Sequence, residues 1–576
     1  KTQYWPWGNM GLGMQNPYWI TNRDNFINHK NRFLVSGGLS YDIAKGITLG
    51  ARAKMDYTSA IYEKKYSAST DAIFAQKYGA YYKADASTRQ LYGDVMLNID
   101  KYFGDFSLTG TVGVSIQDLD YQYYSVGGDL NSVANSFTLK NLNQSNAEFD
   151  QDGYHDQTQS IFATAQLGWQ SKLYLDVTGR IDWSSALAWT ETKSVAYPSV
   201  GLSAILTDLL PIRSDVLTFL KLRGSYSEVG NAPTRYIAYQ THPYQSGTPS
   251  TTSTYPNSDI KPERTKAWEV GLQSRFWGDK LALNVSLYKT STFNQLFNPS
   301  LPSSSGYSSI YINGGQVDNK GIEASLSLSQ ALGPVEWNST LTYTINRNKI
   351  KKLLKPTTLK DGLLVEQDML DLDGVGNVKT RLFEGGSVGD LYVTALRTDE
   401  HGYIDVDYVN NTVSVDGNAG ERGDGWIYAG NSQAKYTMGW RNSFSWKGLT
   451  LGFLINARVG GVCVSMTQAL MDSYGTSKAT ADARDAGGVM INGYLVPAAQ
   501  KYYQTVGTGA GSMYVYSATN IRLAELSLGY DVPVTKLVPW IKGMNVAFTG
   551  RNLFMFYCKA PYDPELTAST GTHFSG

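Results

Sequence analysis

A chain of 576 residues with 50 basic and 50 acidic side chains carries no net charge. That leaves no electrostatic case for nucleic acid, which asks for a concentrated basic face. Charged residues are only 17% of the chain, aromatics reach 12% with 40 tyrosines, and the 2 cysteines, Cys463 and Cys558, lie far apart without metal-ligand spacing. No apolar run approaches the roughly 18 residues of a membrane helix. A transmembrane β-strand, however, needs only about ten alternating residues, so a membrane stays open.

In chain order, the first thirty or so residues, including Asn16-Pro-Tyr-Trp19, read as loop. Then Phe33, Val35, Leu39, Tyr41 and Ile43 alternate with polar or small residues up to a turn at Ala44-Lys45-Gly46. The return run places Ile47, Leu49, Met55 and Tyr57 on one side, and Thr48, Arg52, Lys54 and Asp56 on the other. A strand alternates its faces, so each run has one apolar and one polar surface. The pattern repeats in Leu91–Ile99 with Phe106–Ile116, in Ile161–Trp169 with Leu173–Trp183, and in Leu220–Tyr226. The hairpin Trp268–Phe276 with Leu281–Tyr288 turns at Trp277-Gly-Asp-Lys280. Ile322–Leu328 with Val335–Tyr343, and Met438–Trp446 with Leu449–Val459, follow. Ile521–Tyr530 slips phase once near Leu523–Leu526, which predicts a bulge, and Val546 to Gly550 closes the series. The reading is all-β, with roughly sixteen strands.

Connection lengths separate membrane from soluble β-architecture. Turns near 44, 104, 171, 278, 333 and 447 are short; the segments 60–89, 118–158, 228–266, 291–314 and 462–520 read as long loops. Short turns at one end and long loops at the other describe an up-and-down outer-membrane barrel. Trp169, Trp183, Trp268, Trp337, Trp440, Trp446, Phe276 and Tyr343 fall where an aromatic girdle would sit. The apolar sets are expected to face lipid. The polar sets, with Arg52, Asp56, Asp94, Arg223, Glu269 and Arg458 among them, are expected to line the lumen.

The loops read as tyrosine-rich. Tyr62, Tyr66, Tyr78, Tyr81 and Tyr82 are placed in one, Tyr121, Tyr123 and Tyr124 in another, and Tyr236, Tyr239, Tyr244 and Tyr255 in a third. Tyrosine offers a rigid apolar face with a hydrogen-bonding tip, suited to sugars and peptides alike. Candidate substrate contacts are therefore Tyr81, Tyr82, Tyr123, Tyr124, Tyr239 and Tyr244, with Arg52 and Asp56 on the wall. No side chain combines with a supporting base for covalent chemistry, and no cofactor or metal is expected. Gly385-Gly-Ser-Val-Gly389 precedes a strand and reads as a turn, not a nucleophile elbow. Gly507-Thr-Gly-Ala-Gly511 reads as loop. Asp371-Leu-Asp-Gly374 and Asp416 to Asp424 read as turn-forming acids, the second able to hold a hard cation.

Several segments carry a family signature. Lys261-Pro-Glu-Arg-Thr-Lys-Ala-Trp-Glu269 followed by Gly271 resembles a motif of TonB-dependent transporters. With Asn16-Pro-Tyr-Trp19, Asp182-Trp-Ser-Ser185, Tyr197-Pro-Ser-Val-Gly-Leu202, Asn319-Lys-Gly-Ile-Glu323, Asn520-Ile-Arg-Leu-Ala-Glu-Leu526 and Tyr562-Asp-Pro-Glu565, the pattern is similar to the SusC/RagA branch of Bacteroidota. The resemblance implies a 22-stranded barrel with an N-terminal plug, energised by the TonB complex and capped by a SusD-like surface lipoprotein, in dimers of SusC–SusD pairs. Residues 1–576 would then be the barrel domain alone, as a fragment lacking the plug and, since Thr570–Gly576 ends in a loop, the last strand. The implied cargo is an oligosaccharide or a peptide, and the location is the outer membrane, in contact with its lipid. A passive porin of about sixteen strands is the alternative.

Overall fold

The computed structural model describes residue 3 and residues 15–566, apart from 211, 213, 246, 251, 302, 355, 359–361, 363, 366, 367, 373, 535–537 and 539. The expectations for Thr570–Gly576 and for Asp373 lie outside the described residues. Sixteen antiparallel strands follow one another in chain order in one sheet. They are β1 (Asn25–Ala44), β2 (Ile47–Ser67), β3 (Gly79–Phe103), β4 (Phe106–Asp129), β5 (Glu148–Trp169), β6 (Leu173–Ser184), β7 (Val195–Ile205) and β8 (Leu217–Asn231). Then come β9 (Glu263–Phe276), β10 (Leu281–Phe297), β11 (Ile312–Leu332), β12 (Val335–Lys352), β13 (Tyr436–Trp446), β14 (Leu449–Val459), β15 (Asn520–Val532) and β16 (Met544–Cys558). The chain divides into two compact units: Lys1–Leu167 with Val177–Pro198 and Thr234–Tyr236, and Gly168–Asp176 with Ser199–Pro233 and Ile237–Gly576.

Within the first unit, cross-strand register sorts the side chains into rows. Gly37 faces Ala53, Ala53 faces Gly93, and Gly93 faces Ile116. The neighbouring apolar residues are turned outward into the surroundings, Leu39 with 82% of its surface exposed. An antiparallel sheet whose exposed face is this apolar is built for lipid, not for water. In the second unit the rows Val270–Leu287–Ile322–Ile345 and Leu283–Leu326–Leu341–Trp440 continue the apolar face. The slip predicted near Leu523 is present: β15 shifts register against β16 between Leu523 and Glu525, and against β14 opposite Leu454 and Ile455.

Three expectations need correction. Asn16-Pro-Tyr-Trp19 is not loop but the start of helix α1 (Pro17–Arg23), where the Asn16 side chain accepts from the Tyr18 amide, and β1 begins soon after, at Asn25. Pro at the first helical position and Asn as cap account for this. The supposed loops 60–89 and 118–158 are mostly strand, with connections only at 68–78 and 130–147. Above the lipid both faces of a strand meet water, so the hydropathy contrast that marks a strand disappears while the backbone pairing continues. The last correction is that Gly507–Gly509 ends a helix.

That helix belongs to the connection 460–519, which carries α2 (Met466–Ser473), α3 (Lys478–Asp485) and α4 (Ala499–Gly509). Ser465 and Ser477 cap α2 and α3 by accepting from the amides of Gln468 and Thr480. A Cβ at Gly507 would stand 2.4 Å from the Ala469 carbonyl oxygen, so glycine lets α4 lie against α2. Ala469, Ile491, Tyr502, Val506 and Tyr514 form a buried core with Val406 and Val413 of the segment 353–435. The connection 353–435, absent from the sequence-derived set of loops, holds a four-stranded sheet of Met369–Asp371, Val378–Phe383, Asp390–Val393 and Ile427–Asn431.

Candidate functional site

The polar face of the wall is a set of matched charges. Arg52 reaches Asp94 at 2.8 Å and Arg32 reaches Asp56 at 2.8 Å. Arg180 meets Asp182 at 2.6 Å, and Arg223 meets Glu269 at 2.9 Å and Ser286 at 2.7 Å. The Asp94 side chain is fully buried. Arg52 and Asp56, expected as cargo contacts, are thus each engaged across the strands. In the connection 353–435, Asp424 is taken by Arg381 at 2.6 Å. Among the described residues no three His, Cys, Asp or Glu side chains gather as a metal site. Ser387 lies in the turn between Phe383 and Asp390, as expected, with its hydroxyl toward Asn348.

The tyrosines divide by one-residue alternation. On β3 and β4 the apolar belt ends where Leu91 faces Asp118 and Arg89 faces Asp120. From Arg89 to Gly79, β3 continues about 33 Å along its length at roughly 3.3 Å per residue. In that extension Tyr82 shares the polar face with Asp94, and Tyr81 shares the outer face with Leu91. Tyr123 and Tyr124 split the same way, Tyr123 opposite Ala86 and Tyr124 opposite Asp85. Tyr81 is buried with Leu130 and Leu142 and donates its hydroxyl hydrogen bond to Glu63. Tyr124 is half exposed on that outer face.

Tyr82 and Tyr123, by contrast, line one cleft of about 330 Å³ with Tyr62, Lys64, Tyr66, Phe74, Ser125, Gly127 and Glu148. Tyr66 stacks on Phe74 with centroids 5.9 Å apart and meets Tyr82 edge-on at 6.4 Å. A Cβ at Gly127 would fall 2.2 Å from the Tyr82 ring, so the ring lies flat on bare backbone. Nearby on the same unit, Arg235 sits 3.5 Å over Tyr154, which stacks on Tyr121, and pairs with Asp156 at 2.7 Å. Ring faces with a few polar tips suit ring-shaped or planar polar ligands. Lys64, Phe74, Gly127, Glu148, Tyr154 and Arg235 were not singled out in the sequence. The alternation Tyr62, Lys64, Tyr66 was the signal that could have found part of this face.

Tyr239 and Tyr244 belong to the second unit, in the connection 232–262, both exposed, with Tyr244 in a short strand pair against Pro249. The larger hollow, about 1040 Å³, is walled by Leu39, Val95, Val114, Ile116, Ile161 and Trp183. Arg52, Asp94, Ser115 and Ser160 of the polar face also line it, so residues of both faces bound a mostly apolar hollow. No helix among the described residues is long and apolar enough to cross a membrane.

Residues 2–553 match the family described as TonB dependent receptor-like, beta-barrel. The chain belongs to that family. Among curated relatives of this barrel family are TonB-dependent receptor P3 and TonB-dependent receptor P26 of Formosa agariphila. The first is 26% identical over 81% of this chain and 48% of its own length, the second 25% identical over 78% and 47%. The chain thus spans about half the length of the curated relatives it matches. In fold it is similar to the RagAB peptide transporter, with a TM-score of 0.76 and 20% identity over 98% of this chain and 62% of that one. The "open-open" state of the RagAB peptide importer gives 0.77, at 20% identity over 98% of this chain and 61% of that chain. The TonB-dependent receptor barrel is therefore the architecture that the sixteen strands build.

Proposed function

We propose that this chain is the barrel of an outer-membrane nutrient importer that takes up an oligosaccharide or a peptide. Energy comes from the TonB complex, and a SusD-like surface lipoprotein closes the mouth, in dimers of such pairs. The observation that carries the reading is the sorting of Tyr62, Tyr66, Tyr82 and Tyr123 onto the polar face of strands that rise well beyond the apolar belt. There they form an aromatic surface at the loop-bearing end, above the paired charges of the wall. Cargo would be captured by stacking and by hydrogen bonds to the Lys64, Glu148 and Ser125 side chains. Passage would then follow a shift between closed and open states, with no bond made or broken.

The test uses the full-length gene in a deletion strain. Replacing Tyr82 or Tyr123 with Ala should weaken cargo capture by roughly tenfold each, the scale of one lost ring contact. Tyr124→Ala, one residue away on the outer face, should leave uptake near wild type. Equal losses at all three positions would remove the cleft from the mechanism. Uptake that survives deletion of TonB would identify a passive porin instead. Recovery of the barrel without any lipoprotein, from membranes in which other such pairs stay together, would eliminate the lid.

A further inference from the structure

The outer face of the second unit carries a row of cations at one height. Tyr226 faces Trp268, Trp268 faces Lys289, Lys289 faces Lys320, and Lys320 faces Arg347, across strands β8 to β12. One side-chain step toward the membrane, the corresponding row is Val270, Leu287, Ile322 and Ile345, wholly apolar. Three like charges directly opposed on neighbouring strands repel one another. The protein offers them little relief. Lys320 has no ion-pair partner among the described residues, and Arg347 donates to the carbonyls of Asn346 and Lys435. Lys289 comes only within 3.9 Å of Asp318, whose carboxylate accepts from Gln316 at 2.8 Å. Glu228, the other acid at this edge, is held by Arg264 at 2.7 Å.

Two independent features fix the level of this row. The last apolar row lies immediately below it, and in the row itself Tyr226 and Trp268 pack with ring centroids 4.5 Å apart. Such aromatics mark the headgroup zone of a membrane. The long connections 298–311 and 353–435 leave from this end of the strands, which makes it the outer leaflet. With strands about 4.8 Å apart, the three cations span roughly 10 Å, the reach of one or two phosphate groups.

We infer that Lys289, Lys320 and Arg347 form a binding row for the phosphate of an outer-leaflet glycolipid, whose acyl chains lie along Leu287, Ile322 and Ile345. The phosphate supplies the counter-charge that Lys320 and Arg347 lack, shares Lys289 with Asp318, and anchors this side of the barrel at a set depth. The inference rests on the barrel and its orientation, not on the cargo, so the lipid and uptake experiments fail separately.

The full-length protein in mild detergent is titrated with monophosphoryl lipid A, with the same lipid after enzymatic dephosphorylation, and with inorganic phosphate. Retained lipid is counted by native mass spectrometry. The Lys289→Gln, Lys320→Gln double variant should lose retention of the phosphorylated lipid by about 25-fold, from roughly fivefold per lysine at an anionic surface. The Lys289→Arg, Lys320→Arg pair should keep it, and the dephosphorylated lipid should bind all forms weakly and alike. Heat-modifiable migration on gels establishes that both variants fold. Unchanged retention by the Gln variant, equal binding of the dephosphorylated lipid, or displacement by inorganic phosphate at matched concentration would each overturn the assignment. So would a protein partner found covering the row in the purified complex.

Discussion

The depth of an outward-facing residue sets what a charge there costs, and β10 provides a ruler. Leu283, Val285 and Leu287 lie on its outer face, with Lys289 at the upper rim and Asn284 on the opposite face. Leu283 is six residues below Lys289, about 20 Å along the strand at roughly 3.3 Å per residue. With a strand tilt near 40°, that is about 15 Å of depth, close to the middle of an apolar band roughly 25 Å tall. Arg at position 283 should therefore cost about 2–4 kcal/mol. Leu287→Arg, one step below the rim, should cost about 0–1 kcal/mol, and Val285→Arg should fall between them. Asn284→Arg, beside the polar wall, should be near neutral. The assay is denaturant unfolding of the full-length protein in lipid vesicles, read by tryptophan fluorescence. A flat series, or a penalty at Asn284 equal to that at Leu283, would refute both the face assignment and the depth scale.

Gly127→Ala should push the Tyr82 ring off its seat and reduce cargo capture about as much as Tyr82→Ala, because the added Cβ falls 2.2 Å from that ring. Binding titrations of the two variants provide the comparison, and full capture by the Gly127→Ala protein would contradict the packing. Acid should loosen the sheet in the connection 353–435. The Arg381 guanidinium holds the Asp424 carboxyl below its ordinary value of 3.8, so its contribution is complete above that value and lost as pH falls through the depressed one. Protease sensitivity of this segment should rise only below about pH 4; a rise already near pH 6 would point elsewhere. Burial pushes the Cys463 thiol up to about 11. In a Cys558→Ala background at about pH 7.5, maleimide labelling of folded protein should therefore be slow and become fast on unfolding.

What was legible in the sequence was what lipid imposes. Wherever one face of a strand meets acyl chains and the other meets polar surroundings, the alternation is complete, and hairpins such as Trp268–Phe276 with Leu281–Leu287 appear in register from the residues alone. The phase slip at Leu523 was readable for the same reason. Above the belt that contrast vanishes, so Tyr81, Tyr82, Tyr123 and Tyr124 looked like loop residues although pairing fixes them as strand. Which of them point together follows only from carrying the parity of Asp94 upward to Tyr82. The helices of 460–519 escaped notice because their apolar stripes are short and their caps, Ser465 and Ser477, sit in a stretch rich in other small polar residues. Arg235 over Tyr154 joins positions far apart in the chain, and no local pattern announces such a pair.

The connections 353–435 and 460–519 share one hydrophobic core, closed by the α2–α4 contact at Gly507 and by the Tyr514 hydroxyl donating to Asp472 at 3.0 Å. Two insertions that complete each other's core make few demands on the strands that carry them. Substitutions among Val406, Ile491 and Val506 can drift without disturbing the pairing of β14 with β15. Conversely, the wall can be retuned without unravelling the insertions. Barrels assembled in this manner can exchange their outer surfaces piecemeal while the membrane-spanning sheet beneath keeps its register.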